Sequence, residues 1–153
     1  MTDPLTGPVT EPVPPGERER VWSGGPWERT YGYCRALRVG ERIVVSGCTA
    51  AADPEVLAGR DAAPQLRVAL DTGLAAIREL GGDLADVVRT RMYVLDRADC
   101  DAVGAVHGEV FAAHPPAATM VLVAGLLHPD MRVEVELEQH RRLRQLPLLA
   151  PAR

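Results

Sequence analysis

The chain has 153 residues, with 17 basic and 21 acidic side chains and a formal net charge of −4. At roughly 150 residues per domain this is one domain. Its 46% hydrophobic and 25% charged residues are the proportions of a globular chain. Every basic residue is arginine, and the absence of lysine excludes Schiff-base chemistry, a pyridoxal phosphate anchor and a Walker-type phosphate loop. No asparagine occurs, which excludes a Cys-His-Asn triad. No apolar run approaches the roughly 18 residues of a membrane span, and no signal-peptide pattern opens the chain; the cytoplasm is the expected location. A weakly acidic chain without a basic stripe is a poor partner for nucleic acid.

In chain order, residues 1–16 carry Pro4, Pro8, Pro12, Pro14 and Pro15 and read as a disordered or extended tail. A domain over 17–145 follows, with a short tail over 146–153. Arg35–Val39 and Arg42–Gly47 are two extended runs around a turn at Gly40, a likeness to a β-hairpin. Pro54 and Gly59 mark a loop. From Pro64 to Leu80, Leu66, Ala69, Leu70, Leu74 and Ile77 recur at helical spacing, and Gly81-Gly82 ends the helix. Asp86–Leu95 reads as a strand. Asp99 is the expected N-cap of a second helix through Ala113, with Val103, Val106, Val110 and Phe111 on its apolar stripe. Thr119–Ala124 and Arg132–Glu138 are the final strands.

The order β-β-α-β-α-β-β predicts an α+β domain with two helices on one face of a mixed sheet. Ile43-Val44-Val45 and Met120–Ala124 do not alternate with polar residues, so their strands want both faces buried. Two helices cover one face only. The other is expected to meet another subunit.

The residues Tyr33-Cys34-Arg35-Ala36, Ile43-Val44-Val45-Ser46-Gly47, Gln65, Gly81-Gly82, Asp86-Val87-Val88-Arg89-Thr90, His107-Gly108-Glu109-Val110-Phe111, Pro116-Ala117 and Val133-Glu134-Val135-Glu136 follow one another in an ordered series. That series resembles the RidA/YjgF family, also called the L-PSP endoribonuclease family, from about Tyr33 to Glu138. The resemblance implies a chorismate-mutase-like fold, a homotrimer with clefts between subunits, and hydrolysis of reactive enamines and imines without a cofactor. By position, Tyr33 matches a cleft tyrosine, Ser46 a cleft serine and Glu134 the glutamate that handles water. The family's carboxylate-binding arginine is replaced by Ala118, and its cleft asparagine by Gly104. A guanidinium grips a carboxylate with two charge-assisted hydrogen bonds; alanine offers neither charge nor donor. The chain is therefore expected to be a divergent member that does not act as a standard 2-imino acid deaminase.

Glu134 is thus the candidate catalytic residue. Tyr33, Ser46, Gly47, Cys48, His107, Ala118 and Met120 are the candidate substrate-binding residues. Each has a blander reading. Glu134, Glu136 and Glu138 alternate with Val133, Val135 and Leu137, and the three carboxylates could form a solvated face paired with Arg89 and Arg91. Ser46-Gly47 could be a turn pair, Tyr33 a packed aromatic and Cys48 a small buried hydrophobe. His107 lies beside an apolar helix stripe and suits packing. His114, His128 and His140 have no common metal spacing, as with Cys34, Cys48 and Cys100; no metal is expected. Arg141-Arg142-x-Arg144 reads as a solvated end. Two functions stand: a small-molecule enzyme acting on an enamine, imine or related reactive intermediate at intersubunit clefts, and a non-catalytic ligand-binding or chaperone-like trimer on the same scaffold.

Overall fold

A computed structural model of the protein describes residues 18–140. The two expected tails and the Arg141–Arg144 cluster lie outside them. The elements are β1 (Arg18–Val21), α1 (Pro26–Tyr31), β2 (Ala36–Val39), β3 (Arg42–Cys48), α2 (Pro54–Gly59), α3 (Ala62–Glu79), β4 (Val87–Val94), α4 (Cys100–Phe111), β5 (Ala117–Leu122) and β6 (Val133–His140). The seven expected elements are present, with β1, α1 and α2 added.

Segment 54–59, expected as a loop, is a short helix. The reason is local chemistry: the Asp53 carboxylate accepts from the amides of Glu55 and Val56, and Pro54 occupies the first turn. There its missing N–H costs nothing. Asp99 stands at the expected N-cap of α4 but makes no side-chain cap bond. Its Oδ2 instead accepts from Arg132 Nε and Nη2 at 3.0 and 2.7 Å. The turn that leads into α4 is capped by Asp96, which accepts from the Ala98 amide.

Six strands form one sheet in the order β1-β2-β3-β6-β4-β5. The last strand in sequence, β6, is inserted between β3 and β4 and is antiparallel to both, whereas β5 runs parallel to β4 after the α4 crossover. Val133, Val135 and Leu137 face α3 and are buried with Leu66, Leu70 and Ile77 of that helix. Gly73 brings α3 onto β6: a Cβ there would lie 2.5 Å from Leu137 Cδ1. Removing a core side chain of this kind, as in Leu70→Ala, costs about 2–5 kcal/mol. Gln65 is fully buried in α3. Its amide donates to the carbonyls of Leu57 and Asp130, and its Oε1 accepts from the Arg132 amide. One side chain thus ties α2 and the loop before β6 to α3.

Among the described residues, no long helix covers the opposite face of the sheet. Val44 of β3 and Val121 of β5 are 41% and 43% exposed. The two-sided burial expected for these strands is therefore not completed by the described residues.

Candidate active site

The site is built where the regular pairing of β3 with β6 breaks. The register slips between Val45 and Cys48, so Ser46 and Gly47 lie in a bulge at the strand end. Bulges of this kind re-aim side chains beside active sites. Arg35 clamps it: Nη1 donates to the Gly47 carbonyl at 2.6 Å and lies 3.4 Å from the Ser46 carbonyl. The Ser46 amide donates to the Arg35 carbonyl, and Ser46 Oγ donates to the Cys34 carbonyl at 2.8 Å.

Glu134 of β6 rests against this bulge. A Cβ on Gly47 would overlap Oε1 of Glu134 and lie 2.8 Å from Cδ, so only glycine leaves the carboxylate this seat. Burial first, and repulsion from Glu136 second, push the Glu134 carboxyl above its ordinary value, while Arg35 pulls the other way. The three glutamates of β6 are not equivalent. Glu136 is paired with Arg91 at 3.4 Å and accepts from the Tyr93 hydroxyl at 3.1 Å. Glu138 is paired with Arg42. Glu134 makes no ion pair or hydrogen bond with any described residue. The bland reading of a cross-strand paired face thus describes Glu136 and Glu138. Arg89 stands opposite Glu138 in register, yet it is Arg42 that makes the ion pair.

The other candidates fall into three places. Tyr33 is 36% exposed and precedes the Arg35 clamp by two residues. Cys48 is buried in the core, its thiol pushed up by burial and by Glu134 against the opposing pull of Arg35. His107 and Met120 lie on the helix side of the sheet. His107 Nε2 shares a 2.9 Å hydrogen bond with Thr90 Oγ1, its ring packs 4.7 Å from that of Phe111, and burial holds its pKa below 6.5. Met120 packs against the core, 3.9 Å from where a Cβ of Gly104 would stand. Ala118 pairs with Thr90 and, by strand alternation, shares Met120's face. Within one chain, then, Ser46 and Gly47 form the bulge on which Glu134 rests, with Tyr33 two residues before the Arg35 clamp, whereas Ala118, Met120 and His107 stand on the other side of the sheet.

Two residues beside the site had no role readable from the sequence, Glu28 and Arg35, although Arg35 lies in the Tyr33-Cys34-Arg35-Ala36 run. Arg35 could have been found from its place opposite Ser46 once the hairpin register was known. Glu28 is buried, and its carboxylate accepts from the Ser23 amide and hydroxyl and from the Gly24 amide. Burial alone would raise its pKa, but these bonds, aided by Arg35, hold it below the ordinary glutamate value. Among the described residues no group of three His, Cys, Asp or Glu side chains can hold a metal ion, and no helix is long and apolar enough to cross a membrane. A separate hollow of about 320 Å³ lies at the far end of β6, between His114, His140 and Asp86.

The family model for Endoribonuclease L-PSP matches residues 28–138. An uncharacterized protein of Streptomyces coelicolor is 38% identical over 122 residues, covering 80% of this chain and 91% of its own. The 2-iminobutanoate/2-iminopropanoate deaminase of Escherichia coli is 30% identical over 107 residues, covering 68% and 83%. The crystal structure of Rv2704, a YjgF/YER057c/UK114 family member from Mycobacterium tuberculosis, superposes with a TM-score of 0.75 at 39% identity, covering 82% of this chain and all of that one. The chain therefore belongs to the Endoribonuclease L-PSP family, the RidA/YjgF family of the sequence resemblance, and has its α+β, chorismate-mutase-like fold.

Proposed function

We propose that the protein is a RidA-type enzyme that hydrolyses an enamine, imine or related reactive intermediate, with Glu134 as its proton-handling group. The observation that carries this reading is the contrast along β6: Glu136 and Glu138 are paired, while Glu134 rests on Gly47, pairs with no described residue and has a raised pKa. A carboxyl poised closer to neutrality both takes and returns a proton. Protonated Glu134 gives its proton to the β-carbon of an enamine, which becomes an iminium ion. The carboxylate then takes a proton from water as the water oxygen bonds to the iminium carbon. That proton passes to nitrogen, the C–N bond breaks as the hydroxyl proton returns to the Glu134 carboxylate, and ammonia and a carbonyl compound leave.

The complete site lies between copies of the chain in a homotrimer. The uncovered Val44 and Val121 support this reading, as does the placement of Ala118 and Met120 on the other side of the sheet from Glu134. A neighbour's Ala118 then faces the ligand where a cation would otherwise hold a carboxylate, so small 2-imino acids are poor substrates. The similarity to the Escherichia coli deaminase supports the reaction class and not the substrate. An RNA substrate is disfavoured by the net charge of −4. The test is release of ammonia from imines generated in situ by an amino-acid oxidase, compared between wild type and Glu134→Gln. Saturable ligand binding without turnover in either protein would favour the non-catalytic trimer, for which the alanine at 118 is the supporting observation.

A further inference from the structure

The chain has two Trp, three Tyr and one Phe. Four of these six, Trp22, Trp27, Tyr31 and Tyr33, fall between residues 22 and 33, and all four are exposed. They sit on one excursion of the chain between β1 and β2. Its neck is closed where the Arg35 amide donates to the Val21 carbonyl at 2.9 Å. The same residue, Arg35, binds the Ser46 amide through its carbonyl and the Gly47 carbonyl through its guanidinium. Both ends of the loop are therefore fastened at the corner of the sheet that seats Glu134.

The loop is held from inside. Glu28 gathers the Ser23 amide and hydroxyl and the Gly24 amide, and the Tyr33 amide closes onto the Glu28 carbonyl at 3.0 Å. Gly32 ends α1 with a φ of +72°, which turns the chain back toward the strand. Compact loops tied at the neck and packed by their own side chains are frequent carriers of function. On this fixed frame Trp27 and Tyr31, one helical turn apart, stack with centroids 5.3 Å apart and planes within 6°. Their outer faces remain in solvent, at 56% and 70% exposure. Stacked, preorganised rings offer apolar area at little entropic cost to a ligand.

We propose that the loop 22–34 is the specificity wall of the Glu134 site, and that Trp27 and Tyr31 receive a planar aromatic group of the substrate. The inference deepens the proposed function and rests on its location of the site. Two observations favour a ligand over a second copy as the occupant. The loop that carries the aromatics is tied to the Arg35–Ser46–Gly47 corner at its closed neck. The site also lacks a carboxylate anchor at Ala118, so binding has to come from another source, and the loop supplies apolar stacking surface. The substrate class is an imine or enamine carrying an aryl side group.

Both tryptophans of the chain lie in this loop, so intrinsic fluorescence excited at the indole edge reads it directly. Titration with 4-phenyl-2-butanone, a neutral aryl ketone of the product class, should shift or quench the emission with an affinity at least tenfold greater than that for 2-butanone. Calorimetry with the same pair should show that preference in wild type and its loss in Trp27→Ala and Tyr31→Ala, with the assembly mass unchanged. Equal affinity for the two ketones, or a preference that survives both substitutions, overturns the proposal. So does a change of assembly mass in either variant, which would assign the rings to an interface between copies. An aryl preference without hydrolysis of any imine leaves this wall standing and removes the catalytic reading. Hydrolysis without an aryl preference does the reverse.

Discussion

A Cβ placed on Gly47 would overlap Oε1 of Glu134 and lie 2.8 Å from its Cδ. The glycine is thus required by its neighbour's side chain and not by its own backbone, whose φ is not in the left-handed region. Gly47→Ala should swing the Glu134 carboxylate off the bulge. The expected outcome is a fall in imine turnover approaching that of Glu134→Gln, at a stability cost of about 1 kcal/mol, because the displaced atoms end a flexible side chain. Chemical denaturation beside an ammonia-release assay checks both numbers. Full turnover in Gly47→Ala would separate the glycine from the chemistry.

Glu28 makes a prediction about acid. Its folded pKa is lowered, so the unfolded chain binds its proton more readily. The stability it contributes is present above the ordinary value of 4.5 and is lost as pH falls through the lower folded value. Glu28→Gln should speed amide exchange at Ser23 and Gly24 at neutral pH while leaving the core helices protected. Wild type should reach the same state only below pH 4.5. Unchanged exchange in the variant would show that the loop is held by other contacts.

Ala118 stands beside Thr90 on β5 and is exposed. Wild type should hydrolyse 2-aminoacrylate-type imines slowly. Ala118→Arg places a guanidinium on that edge and should raise kcat/KM for small 2-imino acids at least tenfold, the worth of a charge-assisted contact of roughly 1.5–3 kcal/mol. Wild-type turnover of these imines as fast as the variant's would mean that another cation holds the carboxylate.

The uncovered sheet face predicts assembly. Light scattering at micromolar concentration should return about three times the 16.5 kDa chain mass, and Val121→Asp should dissociate the assembly by setting a charge in an apolar contact. A stable, folded monomer in wild type would contradict this.

The long helices and the central strands were legible because their apolar periods are unambiguous, as in Leu66–Ile77 and Val133–Leu137. The pairing order was less so: nothing local in Val133–His140 states that the last strand enters the middle of the sheet. Pro54 and Gly59 misled because the same residues punctuate loops and bound short helices, and the Asp53 cap decides between them. Asp99 misled because a long-range partner, Arg132, outcompetes the local amides for its carboxylate. Tyr33, Ser46, Gly47 and Glu134 were candidates through the family resemblance, and of these Ser46 and Gly47 form the bulge on which Glu134 rests. His107 read first as a packing residue, and its bond to Thr90 and contact with Phe111 fit that reading. Arg35 and Glu28 were not legible as a pair, because their meaning depends on the closed neck of the 22–34 loop.

The most direct measurement is turnover of imines by Glu134→Gln beside Glu136→Gln and Glu138→Gln. The folded Glu134 pKa is raised, so the carboxyl lends stability only when protonated, below its ordinary value of 4.5. That contribution is lost as pH rises through the folded value. Removing the charge at neutral pH should therefore leave thermal stability unchanged or slightly higher. Turnover by Glu134→Gln should fall on the order of 100-fold or more, the range of general acid–base help. Glu136→Gln and Glu138→Gln should stay near wild type. Wild-type turnover in Glu134→Gln, on an imine that the protein demonstrably hydrolyses, would contradict the account.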